Sequence, residues 1–153
     1  MEHKIIAIIC AMDIELEGYE KLLENKIVEH KLGHEFLVGD YFNNKLVITK
    51  CGIGKVNAAA ITLLLIEHYN PDLLFNSGIA GGYSKKLKTL DVVVATNLVY
   101  SDVDMTTDEF TNLRYGQLQD LPFTFKPCEK TLNQVFNMEL NNPVYLTRFC
   151  PEK

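Results

Sequence analysis

Runs of consecutive apolar residues, each closed by glycine, proline or a polar cluster, organise this chain. Residues 4–10 end in Ile5-Ile6-Ala7-Ile8-Ile9-Cys10, an unbroken stretch rich in β-branched side chains. A run with no polar face predicts a central strand buried on both sides. From 13 to 24 the period changes, with Ile14, Leu16, Tyr19, Leu22 and Leu23 recurring among acids at helical spacing. Asp13 stands where it could cap that helix. The stretches 36–41 and 45–50 flank Asn43-Asn44 and predict a hairpin. Residues 56–69 read as a helix rich in Ala and Leu, closed by Asn70-Pro71. Short buried strands are expected at 73–76 and within 91–100, the latter centred on Val92-Val93-Val94-Ala95. Residues 101–127 are polar and loop-like, and 129–140 read as a further helix. Strands alternating with helices give an α/β class with a mixed sheet. With no internal repeat or linker, residues 1–153 read as one domain.

Composition narrows the function classes. A chain of 153 residues can bury a sizeable core. Its net charge of −5 argues against a nucleic-acid partner, which would call for a basic face. No apolar run reaches the roughly 20 residues of a membrane span. The first apolar run also lacks a small-residue cleavage site, so neither a membrane nor a secretory role is expected. Cys10, Cys51, Cys128 and Cys150 form no C-x-x-C pair. They read as reduced thiols of a cytoplasmic protein and not as zinc ligands.

Two glycine turns carry the candidate chemistry. Cys51-Gly52-Ile53-Gly54-Lys55-Val56-Asn57 closes one strand, and Asn76-Ser77-Gly78-Ile79-Ala80-Gly81-Gly82 closes another. Glycine permits positive φ and lets backbone approach a ligand closely. In open α/β sheets, ligands bind beyond the carboxyl ends of strands. The first turn lacks the spacing of a P-loop, and Asn57 stands where G-x-G-x-x-G needs its third glycine. Taken singly, each turn is equally a plain strand-to-helix connection. Met12-Asp13-Ile14-Glu15 follows the first strand, which puts acids at a strand's carboxyl end. They suit a catalytic carboxylate, but taken alone they read more simply as acids favoured by the dipole of a helix start. Asp102 and Asp104 lack a nearby histidine for a metal site, and His3, His30, His34 and His68 are dispersed as surface residues. Lys85, Lys86 and Lys88 read as a solvated loop.

Four segments together resemble the 5′-methylthioadenosine/S-adenosylhomocysteine nucleosidases of the nucleoside phosphorylase/hydrolase superfamily. They are Ile8-Ile9-Cys10-Ala11-Met12-Asp13-Ile14-Glu15, Cys51 to Ala59, Asn76 to Gly82, and Tyr100-Ser101-Asp102-Val103-Asp104-Met105-Thr106, with Tyr115-Gly116-Gln117-Leu118 continuing the likeness. The resemblance covers residues 4–127 and is weak over 128–153. It implies a three-layer α/β/α fold around a mixed central sheet. The implied activity is hydrolysis of the N-glycosidic bond of methylthioadenosine, S-adenosylhomocysteine or 5′-deoxyadenosine, releasing adenine, as in methionine salvage. It implies no cofactor and no metal. Glu15 matches the acid that positions and activates the attacking water. Met12 matches a residue beside the ribose, and Ile53 an apolar contact to the 5′-alkylthio group. Ile79, Ala80 and Gly81 match the turn by ribose and base. Met105 matches a residue that enters the partner subunit's 5′ pocket, so a homodimer is implied.

The departures define the alternatives. Ile79 stands where the family has serine, Ser101 where it has histidine, and the loop at 108–114 is longer. The base-stacking aromatic, the Met-Glu pair on the ribose hydroxyls and the Asp that protonates the leaving adenine have no counterpart within residues 1–153. On this reading the domain is C-terminally incomplete, with an open sheet edge and uncovered apolar faces, so that either poor solubility or a dependence on self-association is expected. The expectation is therefore either a nucleosidase by descent or an inactive homologue that keeps a partial nucleoside pocket or dimer surface. A purine nucleoside phosphorylase is a third reading, opposed by the Ala-Met-Asp-x-Glu segment.

Overall fold

The computed structural model describes residues 3–107, 112–137 and 144–148. They divide between two compact units, residues 1–81 and 82–153. No helix among the described residues is long and apolar enough to cross a membrane.

In the first unit the chain runs β1 (Ile5–Cys10), α1 (Asp13–Glu20), β2 (Glu24–Lys31), β3 (His34–Tyr41), β4 (Asn44–Lys50), α2 (Lys55–Tyr69) and β5 (Leu73–Asn76). The five strands form one sheet in the order β2-β3-β4-β1-β5. The apolar run β1 lies inside it, parallel to β4 on one side and to β5 on the other. β2, β3 and β4 are antiparallel neighbours, so the sheet is mixed.

Strand alternation sends β1 side chains to two different cores. Ala7 and Ile9 join Phe36, Val38 and Val47 beneath Ile61 and Leu65 of α2. Ile8 and Cys10 join Leu46 and Ile48 on the opposite face, where Leu16 and Tyr19 of α1 cover them. Helix, sheet and helix thus make the three α/β/α layers. α2 ends on Asn70 in the left-handed conformation, its N–H bonded to Ile66 O. That is the αL cap an Asn before Pro supplies.

Three local expectations are corrected. α1 stops at Glu20, short of residue 24. Leu23 leaves the helix to lie over Gly39, where a Cβ would sit 3.0 Å from Leu23 Cβ and 2.8 Å from Glu24 O. Beyond it, residues 24–31 gain ladder hydrogen bonds with β3 as an edge strand that the hydrophobic pattern does not predict. Met12, not Asp13, is the N-cap; Asp13 is the first helical residue. The hairpin forms as expected, but its turn is Phe42-Asn43, and Asn44 already pairs with Tyr41. Phe42 takes φ 51° there, as a primed two-residue turn demands.

The second unit contains β6 (Val92–Asn97), α3 (Glu129–Phe136) and β7 (Val144–Arg148). β6 and β7 pair in parallel. Val92 and Val93 are exposed and not buried as expected, because a two-stranded sheet covers neither face fully. The 129–140 helix begins where predicted, and residues 138–140 lie outside the described residues. The described residues between β6 and α3 are irregular. Leu98 and Phe125 bridge this stretch, and the Tyr115 hydroxyl donates to Ser101 O at 2.7 Å. Gly116 has φ 86°, and a Cβ there would lie 2.5 Å from Tyr100 O. Only glycine fits that close approach.

Candidate active site

Because β4, β1 and β5 are parallel neighbours, the segments that follow them emerge side by side along one edge of the sheet. These are the Gly52–Gly54 turn, the Ala11–Glu15 segment and the Ser77–Gly81 turn. The backbone draws them together. Cys51 N donates to Cys10 O at 2.8 Å, and Ser77 N to Ile9 O at 3.0 Å. Gly52 and Gly54 have φ of 83° and 105°. The Asn57 amide donates to Ile53 O at 2.8 Å, tying the first turn to the first turn of α2.

Glu15 stands at the centre of this edge. It is the third residue of α1, where a carboxylate reaches back to the unpaired N–H groups of a helix start. Its Oε2 accepts the N–H of Ala11 at 2.8 Å and of Met12 at 3.0 Å. Its Oε1 accepts the N–H of Ile79 at 2.9 Å, from the far turn. A Cβ at Gly78 would lie 2.5 Å from Oε1 and 2.7 Å from Cδ of Glu15, so the glycine leaves room for the carboxylate.

Those bonds fix its charge. The Ile79 N–H does most to hold the Glu15 carboxyl below the ordinary glutamate value; partial burial opposes it, and the Met12 and Ala11 N–H groups add to it. A carboxylate stabilised in this way contributes at neutral pH, and its contribution is lost as pH falls through the folded-state pKa. Nearby, burial and then the Glu15 charge push the Cys10 thiol up to about 11, so it stays neutral. Burial does the same in direction for Cys51. Cys10, Cys51 and Cys128 are free thiols, and Cys150 lies outside the described residues.

The sequence-predicted residues divide by unit. Met12 and Glu15 are half-buried, while Ile53, Ile79, Ala80 and Gly81 are exposed; all belong to the first unit and to the segments just described. Ile53 and Ile79 are 74% and 77% exposed, so both offer apolar surface beside the carboxylate segment. Met105 belongs to the second unit and is half-buried there. Its neighbour Thr106 donates through both N–H and hydroxyl to Asp104. His3, His30, His34 and His68 are all exposed. Among the described residues no cluster of His, Cys, Asp or Glu could hold a metal ion.

Three contacts were not read from the sequence. Lys50 Nζ lies 2.7 Å from Asp13 Oδ1, linking the end of β4 to the start of α1. The Tyr19 hydroxyl lies 2.6 Å from Ser77 Oγ. Gly78 fits against Glu15 as described. A signal existed for Tyr19, which stands four residues after Glu15 and so on the same helix face.

The chain thus sets an acid, held by backbone N–H groups between two glycine turns, at the carboxyl ends of parallel strands, the place where open α/β sheets bind ligands. The model of the phosphorylase superfamily matches residues 5–148, and the chain belongs to that superfamily. The match runs past residue 127 and takes in the segment 128–148, where the sequence resemblance was weak. Among curated relatives, the 5′-methylthioadenosine/S-adenosylhomocysteine nucleosidase of Bacillus pumilus is 40% identical over 125 residues, 82% of this chain and 53% of the relative. That of Bacillus subtilis is 38% identical over 128 residues, 84% of this chain and 54% of the relative. The chain spans about half the length of the curated relatives it matches. Among solved structures, the nucleosidase of Colwellia psychrerythraea in complex with adenine gives a TM-score of 0.85 at 30% identity, over 95% of this chain and 60% of that one. The Streptococcus pneumoniae nucleosidase with the transition-state inhibitor MT-ImmA gives 0.85 at 31% identity, over 93% and 61%.

Proposed function

We propose that this chain forms the water-and-ribose side of an N-ribosyl hydrolase acting on 5′-methylthioadenosine and S-adenosylhomocysteine. The observation that carries the reading is the ionised Glu15, held by three backbone N–H groups at the edge shared by both glycine turns. In the reaction, water adds to ribosyl C1′, the C1′–N9 bond breaks, and adenine leaves with the bonding electrons. Positive charge develops on the ribosyl centre, which a fixed carboxylate stabilises without reorganisation. A carboxylate that already accepts three N–H bonds is a weak base toward free water. It becomes an adequate acceptor only as the adding water acidifies on the cationic sugar. Glu15 therefore orients the water first and takes its proton late.

The other roles follow the resemblance. Met12 packs beside the ribose, Ile53 against the 5′-alkylthio group, and Ile79, Ala80 and Gly81 along ribose and base. Met105 reaches a partner subunit's 5′ pocket, which makes the working form a homodimer. The outer stripe of α2 supports self-association: Val56, Leu63 and Ile66 are 83%, 59% and 48% exposed, with Ala59 and Ala60 between them. Free Cys10 and Cys51 fit a reducing cytoplasm.

Incubation with 5′-methylthioadenosine in phosphate-free buffer tests the reaction class. Adenine and the free thiosugar are expected in equal amounts, at a rate unchanged by added phosphate and lost in Glu15→Gln. A sugar phosphate product, or a rate that climbs with phosphate, would assign the chain to phosphorolysis.

A further inference from the structure

Helix α1 reaches the turn after β5 twice. Glu15 and Tyr19 are four residues apart, so their side chains share a helix face. Glu15 Oε1 accepts the Ile79 N–H at 2.9 Å. One helical turn further on, the Tyr19 hydroxyl lies 2.6 Å from Ser77 Oγ. Ser77 is also held from below, by its N–H on Ile9 O at 3.0 Å. Gly78 stands between the two contact points, with no side chain of its own to limit the backbone. A Ser-Gly step has little intrinsic stiffness, so the direction of the Ile79 N–H depends on what anchors Ser77.

The Tyr19 ring packs on the Ile8, Cys10, Leu46 and Ile48 cluster, a task that Phe would perform equally well. Packing accounts for the ring and leaves the hydroxyl unexplained. We propose that Tyr19 is a positioning residue, whose hydroxyl fixes Ser77 so that the Ile79 N–H meets the Glu15 carboxylate. It touches neither water nor nucleoside. The inference rests on Glu15 as the water-positioning carboxylate. Its physical core, the coupling of Tyr19 to Glu15 through Ser77, holds whether or not the chain turns over substrate.

The surroundings make Glu15 a clean reporter. Besides the Tyr19 phenol on its own helix face, which Tyr19→Phe removes, the Glu15 charge acts on Cys10 of β1 and Cys51 after β4, and both thiols are pushed upward, away from the carboxylate range. Residues Asn76 to Gly81 carry no titratable side chain. Asp13, on the same helix, is engaged by Lys50.

The test is NMR on the 153-residue protein, reading Ile79 amide exchange and the Glu15 side-chain carboxyl titration. In Tyr19→Phe, Ile79 exchange is expected to quicken about threefold to tenfold, the worth of one modest hydrogen bond. The Glu15 midpoint is expected to rise toward the ordinary glutamate value, while the β1 and β4 amides keep their protection. Ser77→Ala is expected to reproduce both changes, and the double variant to add nothing, as for one shared interaction. Unchanged Ile79 exchange and an unchanged Glu15 midpoint, in either folded single variant, would overturn the proposal. Neither readout uses substrate, so a failure of the nucleosidase reading would be seen separately, as absent adenine release with this coupling intact.

Discussion

Adenine release from 5′-methylthioadenosine by a protein of these 153 residues is expected to run at least ~10²-fold below that of the Bacillus subtilis relative under the same conditions. The reason is the leaving group. Cleavage of C1′–N9 puts an electron pair on the purine, and a proton delivered in the transition state is typically worth about 10²–10⁴-fold. The resemblance assigns that proton to an Asp, and the ribose hydroxyls to a Met-Glu pair, neither of which has a counterpart within residues 1–153. Glu15 cannot substitute. It is ionised at neutral pH because three N–H groups stabilise its charge, so it has no proton to give. What Glu15 supplies lies on the water side, and the residual rate should therefore vanish in Glu15→Gln. Parallel assays of the two proteins check the expectation. A rate within tenfold of the relative would mean that another group of this chain protonates the base.

The second large effect is on stability. Phe36→Ala is expected to cost about 3–5 kcal/mol, the range for emptying a large aromatic site. Phe36 is fully buried on β3, among Ala7, Val38, Val47, Ile61 and Leu65. Its ring lies 5.4 Å from that of Tyr69, at the end of α2. The Tyr69 hydroxyl donates to Glu29 on the edge strand β2 at 3.0 Å. Phe36 therefore joins the sheet, α2 and the edge strand at one point. Against a typical domain stability of about 5–15 kcal/mol, the loss would leave the first unit marginal. Val28→Ala, on the same edge strand but half exposed, is expected to fall within about 0.5 kcal/mol of the parent. Urea unfolding of the three proteins decides the matter. A Phe36→Ala cost below about 1 kcal/mol would show that α2 does not depend on this contact.

Elements that carried their own punctuation were legible in the sequence. β1 is an apolar run, α2 ends at Asn70-Pro71, and the 36–50 hairpin is marked by Asn43-Asn44, one residue off its actual Phe42-Asn43 turn. β2 was not legible, because Glu24, Lys26, Glu29 and Lys31 give it the charge of an exposed segment. Charge is how an edge strand is kept from pairing with other chains, so the feature that hid β2 belongs to its place in the sheet. The end of α1 was misread because Leu22 and Leu23 keep helical spacing, while the space over Gly39 that draws Leu23 away is a tertiary feature. β7 follows Asn141-Asn142-Pro143 and is defined by its pairing with β6, which lies far back in the sequence.

The candidate site divides in the same way. Sequence placed Glu15 at a strand's carboxyl end and found both glycine turns. It could not find the bond from Ile79 to Glu15, which spans 64 positions and fixes the charge of the carboxylate. Nor could it connect Tyr19 with Ser77, 58 positions apart. Local pattern thus named the groups, and parallel strand order brought them together.

Titration of the ¹⁵N-labelled chain with 5′-methylthioadenosine tests most directly whether Glu15 and the two glycine turns form one nucleoside site. The expected result is saturable shifts of the Gly52, Gly54, Ile79 and Gly81 amides with a single Kd, weakened at least ~tenfold in Glu15→Gln, as for loss of a charged hydrogen-bond partner. Shifts confined to one turn, or a Kd indifferent to Glu15→Gln, would contradict it.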